Sequence, residues 1–232
     1  MNVAQFAYSS DNLAYLVWGT RQAVAIDPGA VDGMMDFAGE RGITITIVTN
    51  THSHYDHVSG NGEMLRRSGA RFLSWDFLRN QEYIEIERER LLVFNTPGHM
   101  DDCLSFKADN CLITGDTLFN GTVGNCFSGD MEGFFRSIKL LTSFPKDSLI
   151  YAGHDYVRES MAFARTIDPD NPEIDLFLAN YNADHVVSTL EDEFKVNPYL
   201  RFNHPRFVAA MAGKGLPVET EYERWCSMME LY

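Results

Sequence analysis

The sequence is short of positive charge. Its 19 lysines and arginines face 33 aspartates and glutamates, a net charge of −14 over 232 residues. Nonspecific nucleic-acid binding needs a basic face, so a nucleic-acid partner is not expected. Long apolar runs are missing too. No stretch reaches the roughly eighteen apolar residues that mark a bilayer crossing, so no membrane span is expected. Met1-Asn2-Val3-Ala4-Gln5-Phe6 lacks a charged segment leading into an apolar one, and no secretory signal is read there. Cysteine is scarce: Cys103, Cys111, Cys126 and Cys226 are the four. Their spacing is unpaired, so reduced, mostly buried thiols in a cytoplasmic protein are expected. Cys103 and Cys111 flank the turn sequence Asp109-Asn110, which places them near one another across a hairpin, although no disulfide is expected.

What the sequence does have is histidine in one place. Three of its seven histidines fall within Thr51-His52-Ser53-His54-Tyr55-Asp56-His57. The preceding Ile43-Thr44-Ile45-Thr46-Ile47-Val48-Thr49 reads as a buried strand. Polar side chains cost roughly 2–7 kcal/mol each to bury without partners, so such a cluster at a strand end points to a site. His52 and His54 lie two apart, and in extended backbone they point the same way and can grip one ion. Asp56 and His57 follow a bend and suit a second ion. Imidazole with carboxylate fits zinc, iron or manganese better than calcium or magnesium.

The same arrangement recurs along the chain. Strands are expected over 13–18 and 23–26, then Asp27-Pro28-Gly29 breaks the second. Asp27 is read first as a turn residue and second as a hydrogen-bond partner to a metal ligand. A helix is expected over 31–41, another over 59–68, and a short strand over 70–73; residues 76–90 fit neither pattern. A strand over 91–94 ends at Thr96-Pro97-Gly98-His99, a hairpin over 103–114 ends at Gly115-Asp116, and a strand over 148–151 ends at Gly153-His154. Taken alone, Asp116 is as easily a turn or capping residue. Together, strand ends supply His52, His54, Asp56, His57, His99, Asp116 and His154, enough for two ions with one shared carboxylate. Asp130 is placed to cap a helix over 131–142 whose apolar stripe is core. Beyond residue 158 the strand signals fade, and helices are expected over 158–166, 171–183, 188–195 and 218–231.

Thr51–His57 matches the T-H-x-H-x-D-H motif of the metallo-β-lactamase superfamily. Thr96-Pro97-Gly98-His99, Gly115-Asp116-Thr117-Leu118-Phe119 and Gly153-His154 follow in the same order. The resemblance implies an α+β fold, a four-layer αβ/βα sandwich over residues 1–165. A small helical carboxyl-terminal region, 166–232, would bind substrate. It implies that His52, His54 and His99 hold one ion, that Asp56, His57 and His154 hold the other, and that Asp116 bridges. Zinc is the first expectation, with iron or manganese as alternates. Asp56 and Asp116 are the carboxylates expected to take part in the chemistry.

Within the superfamily the chain looks most like the glyoxalase II, or hydroxyacylglutathione hydrolase, family. Gly153-His154-Asp155-Tyr156, Ser188-Thr189-Leu190 and Asn197-Pro198-Tyr199-Leu200-Arg201 are similar to its blocks. The resemblance implies a dinuclear-metal hydrolase that splits a small-molecule thioester such as S-D-lactoylglutathione, acting as monomer or homodimer. It places Tyr156 against the substrate, and Arg201 either there or in a salt bridge. Asn125 and Phe127 stand where that family usually has a lysine and a tyrosine that grip glutathione. Glutathione thioesters are therefore expected to bind weakly. The alternatives are a mononuclear-iron persulfide dioxygenase, against which the helical tail argues, and a metallo-hydrolase of another ester or lactone.

Overall fold

The computed structural model describes residues 1–231. The first sheet holds β1 (Asn2–Tyr8), β2 (Asn12–Trp18), β3 (Gln22–Ile26), β4 (Thr44–Thr49) and β5 (Arg71–Phe72), in that order. The second holds β6 (Tyr83–Ile86), β7 (Glu89–Asn95), β8 (Leu104–Ala108), β9 (Cys111–Gly115), β10 (Leu149–Ala152) and β11 (Ser188–Thr189). Its strands also neighbour one another in chain order, from β6 at one edge to β11 at the other. The helices are α1 (Val31–Arg41), α2 (Tyr55–Val58), α3 (Asn61–Ser68), α4 (Trp75–Leu78), α5 (Met131–Leu141), α6 (Val157–Ile167), α7 (Pro172–Asn180), α8 (Leu190–Val196), α9 (Pro205–Gly213) and α10 (Glu221–Met229).

Strand alternation makes the layers. Successive side chains of a strand point to opposite faces. In β2, Leu13, Tyr15 and Val17 join Leu91, Phe106 and Ile113 in the core between the sheets. Ala14 and Leu16 point the other way, onto Met34 and Ala38 of α1 and Met64 of α3. On the far side, Leu112 and Ile150 pack with Phe134 and Ile138 of α5 and with Trp225 of α10. The result is the four-layer α+β sandwich: helix, sheet, sheet, helix. The expected helices over 31–41 and 131–142 form, and Asp130 accepts from Gly133 N–H at 2.8 Å as the capping side chain.

Three stretches depart from expectation. Residues 76–90 resolve into the end of α4 and the β6–β7 hairpin, with Glu87 at φ 58° in the turn. The stretch over 188–195 begins as strand rather than helix. Ser188 and Thr189 pair antiparallel with Ile150 and Leu149, and a Thr189–Asp192 capping box then starts α8. Helix α9 was not legible; it begins with Pro205 and is capped by the His204 side chain, which accepts from Arg206 N–H. Cys103 and Cys111 lie at opposite ends of the β8–β9 hairpin, because Cys111 pairs with Ala108 while Cys103 precedes β8. All four cysteines are free.

The short β11 strand fixes a buried acid. Glu193, fully buried, accepts from Ser188 Oγ at 2.6 Å, Gly121 N–H at 2.9 Å and Asn197 Nδ2 at 2.8 Å. Burial nevertheless pushes its carboxyl up to about 7, against all three donors. The unfolded chain releases this proton near pH 4.5, the folded chain only near 7. Stability from this group is therefore present below pH 4.5 and lost as pH rises toward 7, by at most ~3 kcal/mol. Glu193→Gln should flatten that decline. Urea unfolding at pH 5 and pH 8 checks it, and an unchanged pH difference in the variant would contradict the account.

Candidate metal centre

Strand direction gathers the site. Strands β3 and β4 run parallel, as do β9 and β10, and β7 shares their sense because β8 is antiparallel to both its neighbours. Their carboxyl ends meet at one edge of the sandwich. Leu104 N–H donates to Thr51 O at 2.7 Å and Gly153 N–H to Gly115 O at 2.9 Å, which ties these ends together. Gly153 is required there, because a Cβ would lie 2.0 Å from Asp116 Oδ1. Gly124 is required for a similar reason: its Cβ would lie 2.0 Å from Asp116 O and 2.9 Å from His99 Nδ1.

The side chains fall into two groups. His52, His54, His99 and Asp116 form one, and Asp56, His57 and His154 the other; within each, one ligand atom per residue lies within 4.8 Å of the rest. Ring nitrogens face each other closely: His52 Nε2 and His54 Nδ1 at 2.9 Å, His99 Nε2 and His54 Nδ1 at 3.0 Å, His57 Nε2 and His154 Nε2 at 3.2 Å. Asp116 sits between the groups. Its Oδ1 is 3.4 Å from His57 Nε2, and its Oδ2 is 3.5 Å from both His99 Nε2 and His154 Nε2. That Oδ1 is buried without a hydrogen-bond partner. Converging lone pairs and an unpaired buried carboxylate oxygen fit transition-metal ions.

The groups open into a cleft of about 550 Å³. Tyr156 stacks on His154 with ring centres 5.0 Å apart, and Phe127, 63% exposed, packs edge-on to His99 at 5.2 Å. Asn125, Phe127 and Tyr156 all line this cleft, together with Tyr199 and Met229 from the carboxyl-terminal region. Arg201 is not among the lining residues. Its guanidinium pairs with Asp168 at 2.8 Å and lies over the Phe207 ring, so the salt-bridge alternative is the placement observed.

Comparison with known proteins gives the family. The metallo-beta-lactamase superfamily model matches residues 10–73, and the hydroxyacylglutathione hydrolase C-terminus model matches 155–224. The hydroxyacylglutathione hydrolase of Rhodospirillum rubrum is 32% identical over 242 residues, covering 94% of both chains. That of Chromohalobacter salexigens is 30% identical over 222 residues, covering 86% of this chain and 87% of its own. The chain belongs to the hydroxyacylglutathione hydrolase family of the metallo-β-lactamase superfamily. Among solved structures, ETHE1 from Myxococcus xanthus superposes with TM-score 0.69 at 25% identity, covering 98% of this chain and 100% of its own. The BLEG-1 B3 metallo-beta-lactamase superposes at 0.66 and 18% identity over 86% of this chain and 99% of its own, which shows the fold.

Membership makes the chain a metal-dependent hydrolase, and hydrogen bonds behind the two groups show how such a hydrolase holds its imidazoles. Asp27, fully buried, accepts from Thr51 N–H at 2.8 Å and Thr51 Oγ1 at 2.6 Å, and its Oδ2 is 3.0 Å from His57 Nδ1. It sits at φ 50°, so both readings of Asp27, turn and partner, describe it. Asp11 Oδ1 is 2.8 Å from His154 Nδ1, and the Asn125 carbonyl is 2.9 Å from His99 Nδ1. Asn12 Nδ2 donates to Asp56 Oδ2 at 2.8 Å. These partners fix the orientation of the His57, His154 and His99 rings and turn their inner nitrogens toward the centre.

Asp11 and Asn12 were missed in the sequence. They sit at the β1–β2 turn, where no motif marks them; the bridge between Asn12 and His154 and the hydrogen bond from Asp155 N–H to Asp11 O bring them to the site.

The charges of the centre lie close enough to act on one another. Burial pulls His57 down, but Asp27 and Asp116 outweigh it and hold the imidazolium up to about 11. Burial lowers His52 to about 4 despite Asp116 nearby. Burial opposes ionisation of Asp116 as well, yet contacts with His154 and His57 keep its carboxyl well below the usual range.

Proposed function

We propose that this enzyme hydrolyses thioesters at a dinuclear metal centre. His52, His54 and His99 hold one ion, Asp56, His57 and His154 the other, and Asp116 lies across both. The observation that supports this most is Asp116 itself, buried between two imidazole groups with one oxygen unpartnered. Two transition ions, zinc first and iron or manganese as alternates, supply a hydroxide near neutral pH and polarise a carbonyl when bound.

The chain's own part is positioning. Asp27, Asp11 and the Asn125 carbonyl orient His57, His154 and His99 before substrate arrives. Asp116 offers an acceptor to the attacking water, and Asp56 is held in place by Asn12. Burial raises the Tyr156 phenol to about 12, so it stays protonated beside the cleft as a donor to the substrate. Residues 1–165 carry the metal groups and 166–232 the substrate side, a division supported by Tyr199 and Met229 reaching the cleft wall. The region is not separate from the sandwich, since β11 extends its second sheet.

Hydrolysis of S-D-lactoylglutathione beside a lactone and a β-lactam, on protein of known metal content, tests this reading. Thioester turnover that exceeds the other two by at least tenfold in kcat/KM is expected. Turnover of the lactone alone would overturn it.

A further inference from the structure

The relatives' name specifies a carrier, glutathione, which at neutral pH bears two carboxylates and one ammonium. The cleft here offers no cation to meet those carboxylates among its described lining residues. Its walls beyond the metal groups carry the rings of Phe127, Phe163, Tyr156 and Tyr199 among neutral polar side chains such as Asn125 and Ser160. Among the described lining residues the one charged side chain outside the metal groups is Glu159, itself acidic. Basic side chains close by in sequence are turned elsewhere. Arg158, beside Glu159 on α6, has its guanidinium 5.2 Å from the centre of the Tyr181 ring. Arg201 and Arg206 both pair with Asp168 at 2.8 Å.

An anionic carrier in this cleft meets no cationic side chain among the described lining residues, only neutral donors such as Tyr156 and Asn125, and a like charge at Glu159. An apolar carrier exchanges water for those same rings. We propose that the preferred substrate is a thioester whose thiol half is apolar and bears no anionic group. This rests on the thioesterase reading above. In the reaction the oxygen of water bonds to the acyl carbon, the C–S bond breaks, and a proton from that water passes to the departing sulfur or to solvent.

Matched D-lactoyl thioesters test it, because the acyl half and the metal chemistry stay the same. The pair is N-hexanoylcysteamine, neutral with an apolar tail, and glutathione. On protein carrying two ions, the neutral thioester should show kcat/KM at least tenfold higher, with the difference mostly in KM. Glu159→Lys should shrink that ratio at least threefold by improving the glutathione thioester. A glutathione thioester that binds as well as or better than the neutral one would overturn the carrier assignment while leaving the hydrolase reading in place. A ratio unchanged in Glu159→Lys would overturn the role of that wall. If the two-ion protein hydrolyses neither thioester, the thioesterase reading falls and this one with it.

Discussion

Asp116→Ala is expected to lose on the order of a thousandfold in kcat/KM, since metal polarisation supplies several kcal/mol and each 1.36 kcal/mol is tenfold. The loss comes from geometry. Asp116 lies within 3.4–3.7 Å of His57, His52, His99 and His154, and among the described residues no other carboxylate sits between both groups. Alanine leaves Asp56, in one of the two groups, as the carboxylate offsetting the charge of two nearby cations, so metal occupancy should fall as well. The fold should survive. Asp116 follows the end of β9, outside the three apolar clusters that fix the layers. Circular dichroism matching the parent, with metal content reduced, is the expected combination. A variant that keeps two ions and near-normal turnover would remove Asp116 from the shared position.

The second large effect is steric. Gly153→Ala would set a methyl group 2.0 Å from Asp116 Oδ1 and 3.0 Å from His57 Cε1. Gly153 cannot retreat easily, because its N–H donates to Gly115 O and its carbonyl accepts from Leu13 N–H, both at 2.9 Å. Overpacking of this kind costs about 1–3 kcal/mol, or roughly 2–12 °C in Tm for a domain of this size. Displacement of Asp116 should also cut activity by about a hundredfold or more, given how steeply catalysis falls with small misplacement. Gly39→Ala in α1 is the control, as a Cβ there meets nothing within 4 Å, and it should leave both readouts near the parent values. Equal behaviour of the two variants would contradict the packing account.

The sequence exposed the metal groups because their residues travel in short motifs. Thr51–His57 carries four of the candidate ligands in seven positions, and the other three each follow a glycine within a few residues of a strand end. Short continuous apolar runs also showed the main strands, since β2 and β3 bury nearly every residue. What stayed hidden depends on long-range partners. Asp11 and Asn12 sit in an ordinary polar turn until β10 arrives 143 positions away to place His154 Nδ1 beside Asp11. Strand β11 is two residues long and exists only because Ile150 and Leu149 offer an edge. Arg201 stands in a block that resembles a substrate-binding one, but its charge is engaged by Asp168, which follows α6. A motif names a residue type at a spacing; where a long, flexible arginine points is decided by its neighbours in space.

Metal stoichiometry tests the central claim most directly. Protein purified without chelator, supplied with zinc, iron or manganese and freed of unbound ions, should hold about two ions per chain by elemental analysis. Asp116→Ala should hold measurably fewer. A parent protein that saturates at one ion per chain, whichever metal is offered, would contradict the dinuclear centre.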